Sequence, residues 1–381
     1  MGGNAVRSRI CENRLEANTT EESMSKLKEL GAAGQSVWLD FIRRDMVTNG
    51  ELAALVDEGV TGVTSNPSIF QAAIAGSDLY DEDIAAADGD PLAVFEALAI
   101  ADVQGAADVL RGVYDATEGY DGYVSLEVSP TLADDTEGTI ADAHRLWDRV
   151  NRPNLMIKVP ATSAGITAIE ELIAAGINVN ATLMFSMADY EAVAMAYVRG
   201  AERTEYPVRV ASVASFFVSR VDNKIDPALD AIGTEDALAL RGIAAVANAK
   251  LAYRRYQEIF EGPPFAAARA RGARPQRALW ASTSTKNPAY SDVLYVDELI
   301  GPNTVNTIPP ATVDAFRDHG TIDATALTSD VDAAERHFES LTALGVDVDA
   351  ITEELQVEGV ASFADAFNGL LAAIEEQQGE S

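Results

Sequence analysis

NLMIKVPAT, residues 154–162, sets one lysine inside an otherwise apolar, strand-like run. Successive side chains of a strand point to opposite faces, so Leu155, Ile157 and Val159 share one face while Met156, Lys158 and Pro160 share the other. One face is apolar throughout; the other carries an amine. A buried ammonium is costly unless it is paired or neutral, and a neutral lysine is a nucleophile. The chain has only six lysines, and this one stands between isoleucine and valine.

Seven more segments rich in Val, Ile, Thr and aromatic residues accompany it: SVWLDFI (36–42), GVTGVTSNP (59–67), GYVSLEVSP (122–130), INVNATLMFS (177–186), VRVASVASFFVSR (208–220), QRALWASTST (276–285) and NTVNTIPPAT (303–312). Most are followed by long Ala-rich helical patterns, which is the βα sign. Eight such units, with no GxGxxG or GxxxxGK[ST] turn, predict an α/β fold of the (β/α)8 TIM-barrel type rather than a doubly wound sheet. Extra helices are expected in long connections at about 68–121 and 222–274. The first includes PLAVFEALAIADVQGAADVLRGVYDA (91–116), with apolar residues three and four apart; the second holds a helix around 237–260 and then GPPFAAARARGARP (262–275), expected to be an exposed loop. Residues 331–344 and 350–377 read as helical, the last able to fold back over the barrel. Residues 1–30 read as a polar lead-in, partly helical from 21 to 30, and residues 31–381 as one barrel domain.

Composition narrows the partners. A formal net charge of -32 over 381 residues repels nucleic acid and anionic membrane surfaces, so a phosphorylated substrate needs a local basic pocket. No apolar run approaches the roughly 20 residues of a membrane helix, and Arg7, Arg9 and Arg14 precede no apolar core of a secretory signal. The single cysteine, Cys11, permits no intrachain disulfide, which fits a reducing, cytoplasmic location. His144, His319 and His337 lie far apart with no metal-ligand spacing, so no metal site is expected. Oligomeric state is left open.

Barrel residues facing the interior alternate with those facing the helices, and catalytic groups gather at the C-terminal strand ends. By that parity Asp40, Asn66, Glu127, Lys158 and Asn180 with Thr182 point from five strands toward one place. Each has a plainer alternative. Asp40 could cap a helix starting near Met46, and Asn66 could be a turn or cap residue before Pro67. Glu127 could lie on a surface edge, Asn180 and Thr182 could be satisfied by backbone, and Lys158 could be half of an ion pair with Asp40 or Glu127. An amine of ordinary pKa about 10.4 gains roughly tenfold in reactive fraction for each unit that its pKa falls, and burial lowers it. Carboxylates beside such a lysine can shuttle protons while its imine serves as an electron sink for breaking a carbon–carbon bond.

The segments QSVWLDFIRRD, GVTSNPSIF, SLEVSP, LMIKVPAT, NVNATLMFS, SFFVSRVD and WASTSTKNP together resemble the transaldolase family, in its longer bacterial form, from about residue 34 to the C-terminus. The resemblance implies that Lys158 forms the Schiff base, Asp40 is the acid/base for carbon–carbon cleavage, and Glu127 with Thr182 holds a proton-relaying water. It implies that Asn66, Asn180 and Ser215 hold the dihydroxyacetone hydroxyls and that Arg220, ending the sixth strand segment, binds phosphate. Where shorter relatives carry a second arginine this chain reads Ser284-Thr285-Lys286, so Lys286 with Ser282 or Ser284 is the expected substitute. The implied reaction moves a dihydroxyacetone unit between phosphorylated sugars in the non-oxidative pentose phosphate pathway, with no cofactor and no metal. The sister fructose 6-phosphate aldolases resemble the chain less: they have glutamine in place of Glu127 and a tyrosine in the region of Phe217.

Overall fold

The computed structural model describes residues 24–87 and 89–380. Eight parallel strands close into a barrel in sequence order: β1 (Gln35–Leu39), β2 (Val60–Val63), β3 (Tyr123–Glu127), β4 (Leu155–Pro160), β5 (Val179–Met184), β6 (Ser212–Phe217), β7 (Arg277–Ala281) and β8 (Thr304–Ile308). Each lies within one of the eight segments expected from sequence, β1 alone beginning a residue early. In the sixth, residues 207–209 form a 3-10 turn and the strand starts only at Ser212. β4 is buried on both faces, with Leu155, Ile157 and Val159 packed outward into the helices.

The ladder fixes which side chains meet. Glu127 is in register with Lys158, Lys158 with Asn180, and Pro160 with Thr182. Beyond β1, the Asp40 N–H donates to Ile308 O and the Thr64 N–H to Leu39 O, both at 2.9 Å, so the ladder carries Asp40 to the C-terminal rim. β5 departs from regular alternation after Thr182. Leu183 adopts φ 60°, and its pairing with β6 shifts register between Ala181 and Met184.

At the opposite, N-terminal end, Arg277 lies 3.5 Å from Asp121, donates to Ser36 Oγ at 2.7 Å and stacks over Tyr120. Trp38 fills the space beside them and donates Nε1–H to Asp121 at 2.7 Å. A Cβ on Gly62 would come within 2.6 Å of the Trp38 ring, so only glycine lets β2 pass that indole.

The helix expected over 91–116 spans Pro91–Ala116, with Asp90 capping its first turn. Around 237–260 the helix is Ala244–Tyr256, extended by a π turn at Gln257–Glu261. The Pro-Gly-Arg stretch after it is not simply an exposed loop: it forms a 3-10 turn and a short helix, Ala266–Ala270. Phe265 is the reason, for it is fully buried against Phe260 and Tyr197. The helix expected near residues 21–30 is Lys26–Ala32, with Leu27 and Leu30 buried; the rest of the polar lead-in, with Cys11, lies outside the described residues.

The chain ends in the 33-residue helix Val348–Glu380. By length and composition alone, Val348–Gly379 is apolar enough to cross a membrane, contrary to the hydropathy reading above. Alanines and glycines interspersed with acids hid that average in the sequence. In the fold, Phe363, Phe367, Leu370 and Ile374 are buried in the hydrophobic core.

Candidate active site

Lys158 Nζ donates to Ser65 O at 3.2 Å and lies 3.6 Å from Glu127 Oε2, with both side chains 6% exposed. The ion-pair alternative for this lysine is therefore realised, and it coexists with the convergence of acids that parity predicted. Burial pushes the Glu127 carboxyl up to about 7; the Lys158 charge opposes the rise and the Asp40 charge adds to it. Burial likewise raises Asp40 above the ordinary carboxylate range, against the pull of Lys158 and of the Thr64 hydroxyl. Thr64 Oγ1 donates to Asp40 Oδ1 at 2.7 Å and sits 2.5 Å from Thr307 Oγ1. Asp40 caps no helix: Arg43 occupies the cap position of Arg44–Thr48.

A cavity of about 200 Å³ opens above the lysine. Its wall includes Asp40, Asn66, Lys158, Ser215, Phe217, Arg220, Ser282, Ser284 and Lys286, most of the residues expected from sequence. Asn66 serves twice, because its Oδ1 caps the helix Pro67–Ile74 by accepting from Ile69 N at 2.9 Å while the residue lines the cavity. Ser215 donates to Asn180 Oδ1 at 2.6 Å, and Asn180 Nδ2 donates to Ser125 Oγ at 3.0 Å. Asn180 thus stands behind Ser215 and holds its hydroxyl rather than facing the cavity.

Glu127 and Thr182 also lie outside that wall. Thr182 is fully buried, and Glu127 borders a second cavity, of about 260 Å³, between the helices Pro91–Ala116 and Thr136–Val150. Glu127 Oε2 and Thr182 Oγ1 are both buried without a hydrogen-bond partner in the protein. Each can therefore take a hydrogen bond from a small polar molecule.

The outer end of the cavity is basic. Arg220 does not end β6 but is the second residue of the helix Ser219–Ile232, its guanidinium over the Phe217 ring at 5.2 Å. Burial pulls its pKa below the ordinary value, with Glu358 opposing. Lys286 donates to Ser284 Oγ at 2.7 Å, and Ser282 Oγ lies 3.0 Å from Ser219 Oγ. Neither cation has an ion-pair partner among the described residues. Two aspartates brace the two halves of this end. Asp226 accepts from Tyr290 OH at 2.6 Å and Asp222 from Tyr295 OH at 2.8 Å, tying the segment after Lys286 to the helix that carries Arg220.

Thr64, Ser68, Ala281, Thr307, Pro309 and Phe363 complete the lining and were not among the expected site residues. The parity that selected Asn66 also marks Thr64, and strand-end position marks Thr307. Phe363 has no such signal, because it arrives on the C-terminal helix.

Known proteins resemble this chain over most of its length. The family described as Transaldolase/Fructose-6-phosphate aldolase matches residues 37–374. A transaldolase of Frankia alni is 52% identical over 363 residues, covering 93% of this chain and 98% of that one. A transaldolase of Thiobacillus denitrificans is 49% identical over 359 residues, covering 92% and 100%, and transaldolase 1 of Streptomyces coelicolor is 48% identical over 367 residues, covering 94% and 96%. The chain belongs to the transaldolase/fructose-6-phosphate aldolase family.

Proposed function

We propose that this chain is a transaldolase, a transferase that moves a dihydroxyacetone unit from fructose 6-phosphate or sedoheptulose 7-phosphate to erythrose 4-phosphate or glyceraldehyde 3-phosphate. The observation that carries the reading is Lys158 Nζ held 3.6 Å from Glu127 at the floor of a cavity whose far end bears the unpaired Arg220 and Lys286.

The unprotonated Lys158 amine attacks the C2 ketone, forming the N–C2 bond. Glu127, with a water held between it and Thr182, protonates the departing C2 oxygen, and water leaves to give the iminium. Asp40 takes the C4 hydroxyl proton, the C3–C4 bond breaks, and its electron pair enters the iminium to give an enamine and free aldose phosphate. The enamine carbon then attacks the acceptor aldehyde, Asp40 returns its proton to the new hydroxyl, and water added at C2 releases the ketose as Glu127 takes its proton. Asn66 and Ser215 hold the dihydroxyacetone hydroxyls, with Asn180 fixing Ser215. Arg220 offers a planar fork to the phosphate and Lys286 a point charge. The proposed setting is the cytoplasm, with phosphorylated sugars as the binding partners.

Borohydride reduction in the presence of fructose 6-phosphate should leave a stable adduct on Lys158; label elsewhere, or none, refutes the mechanism. The family name also covers aldolases. By the resemblance those aldolases have glutamine in place of Glu127 and a tyrosine in the region of Phe217, so Glu127 and Phe217 favour transfer. Turnover of fructose 6-phosphate should therefore require erythrose 4-phosphate, and dihydroxyacetone release at a similar rate without the acceptor would assign cleavage instead.

A further inference from the structure

The C-terminal helix Val348–Glu380 is anchored at the barrel mouth. Gln356 Nε2 donates to Ala161 O and Leu183 O, at 3.0 and 3.2 Å, just past β4 and within the irregular end of β5. Glu354 and Glu358 pair with Lys224, at 3.0 and 2.6 Å, on the helix that carries Arg220. Farther along, Phe367 meets Phe95 edge-on with centroids 5.6 Å apart, which fixes the rotation of the helix. These contacts aim Phe363 into the cavity. It is 4% exposed, and its ring centre is 5.7 Å from Lys158 Nζ.

We propose that Phe363 is the roof that keeps the lysine-bound dihydroxyacetone enamine from solvent, so that the unit waits for an acceptor aldehyde instead of being lost. The proposal rests on the reading of Lys158 as the imine-forming residue. Loss of free dihydroxyacetone takes two steps after cleavage: a proton from solvent adds to the enamine carbon to regenerate the iminium, then water adds at C2 and the C2–N bond breaks to return the amine. A large apolar side chain beside the nitrogen excludes the proton donors needed for the first step. In the proposed mechanism the water of normal turnover is held by Glu127 and Thr182, which lie on β3 and β5 rather than on the C-terminal helix that carries Phe363. An aromatic face suits this position better than an aliphatic one, since its quadrupole tolerates the positive charge that the nitrogen bears as ammonium and as iminium.

The test is the partition ratio between acceptor-independent dihydroxyacetone release and transfer to erythrose 4-phosphate, measured on active full-length enzyme, with borohydride trapping of a separate sample reporting whether Lys158 is labelled. Phe363→Leu keeps an apolar cover and should leave the ratio near that of the parent enzyme. Phe363→Val and Phe363→Ala should raise it progressively, by about fivefold or more for alanine; Phe363→Val carries the test if the alanine chain does not fold. A merely structural role would lower both rates together and leave the ratio flat. A flat ratio with Lys158 labelled overturns the roof alone, whereas an unlabelled Lys158 overturns the imine reading and the roof with it.

Discussion

Glu127 and Lys158 face each other across the β3–β4 ladder in direct register, 3.6 Å apart and both nearly sealed from solvent. Burial holds the carboxyl near 7, so Glu127 changes protonation state in the range where the enzyme would work. Because imine formation needs Glu127 protonated, the alkaline limb of kcat/KM, which reports the free enzyme, should have an apparent pKa near 7. Glu127→Gln should lose that limb along with most activity, and a limb that persists would assign the titration elsewhere.

The same shift has a sign in stability. The folded pKa lies above the unfolded one, so the Glu127 contribution is fully present below the unfolded carboxylate value and is lost as pH rises through about 7. The melting temperature of Glu127→Gln minus that of the parent should therefore grow more positive from pH 4.5 to pH 8. A difference that is constant across thermal melts in this window would contradict the link.

Asp40 accepts from Thr64 beside the cavity, and the mechanism gives it the C4 hydroxyl proton. Asp40→Asn should still form the borohydride-trapped adduct, while release of glyceraldehyde 3-phosphate falls on the order of 10²- to 10⁴-fold. Single-turnover trapping read beside aldehyde release separates the two steps. Equal loss of both would move Asp40 to imine formation.

Arg220 and Lys286 should divide phosphate recognition unequally. Losing a charge-assisted, partly buried contact predicts a roughly ten- to hundredfold rise in KM for Arg220→Ala with imine formation retained. Exposed Lys286 should cost only a few-fold. Steady-state kinetics with fructose 6-phosphate check the order, and unchanged affinity in Arg220→Ala would place the phosphate elsewhere.

At the other end of the barrel, Asp121→Ala would leave Arg277 buried without its carboxylate and Trp38 without an acceptor. The expected loss is about 3–5 kcal/mol of stability, because an uncompensated buried charge remains. Denaturant unfolding should report it while kcat/KM at 25 °C is little changed. A large kinetic effect without destabilisation would mean that the barrel floor communicates with the site.

The sequence by itself determined the eight strands, their order of alternation with helices, and the inward parity of Asp40, Glu127, Lys158 and Asn180. These follow from a period of two and from local apolar patterning, which a single chain segment carries. It also pointed to Arg220 and Lys286 as the basic end of the site, though not to the helical position of Arg220. Tertiary structure alone decided that Asn180 stands behind Ser215, that Glu127 and Thr182 lie beside the Lys158 cavity rather than in its wall, and that Phe265 turns an apparent loop into packed structure. It also decided that Phe363 roofs Lys158. Each depends on the angle at which distant elements dock, and that angle is set by many weak contacts summed over the whole barrel, which no local pattern encodes.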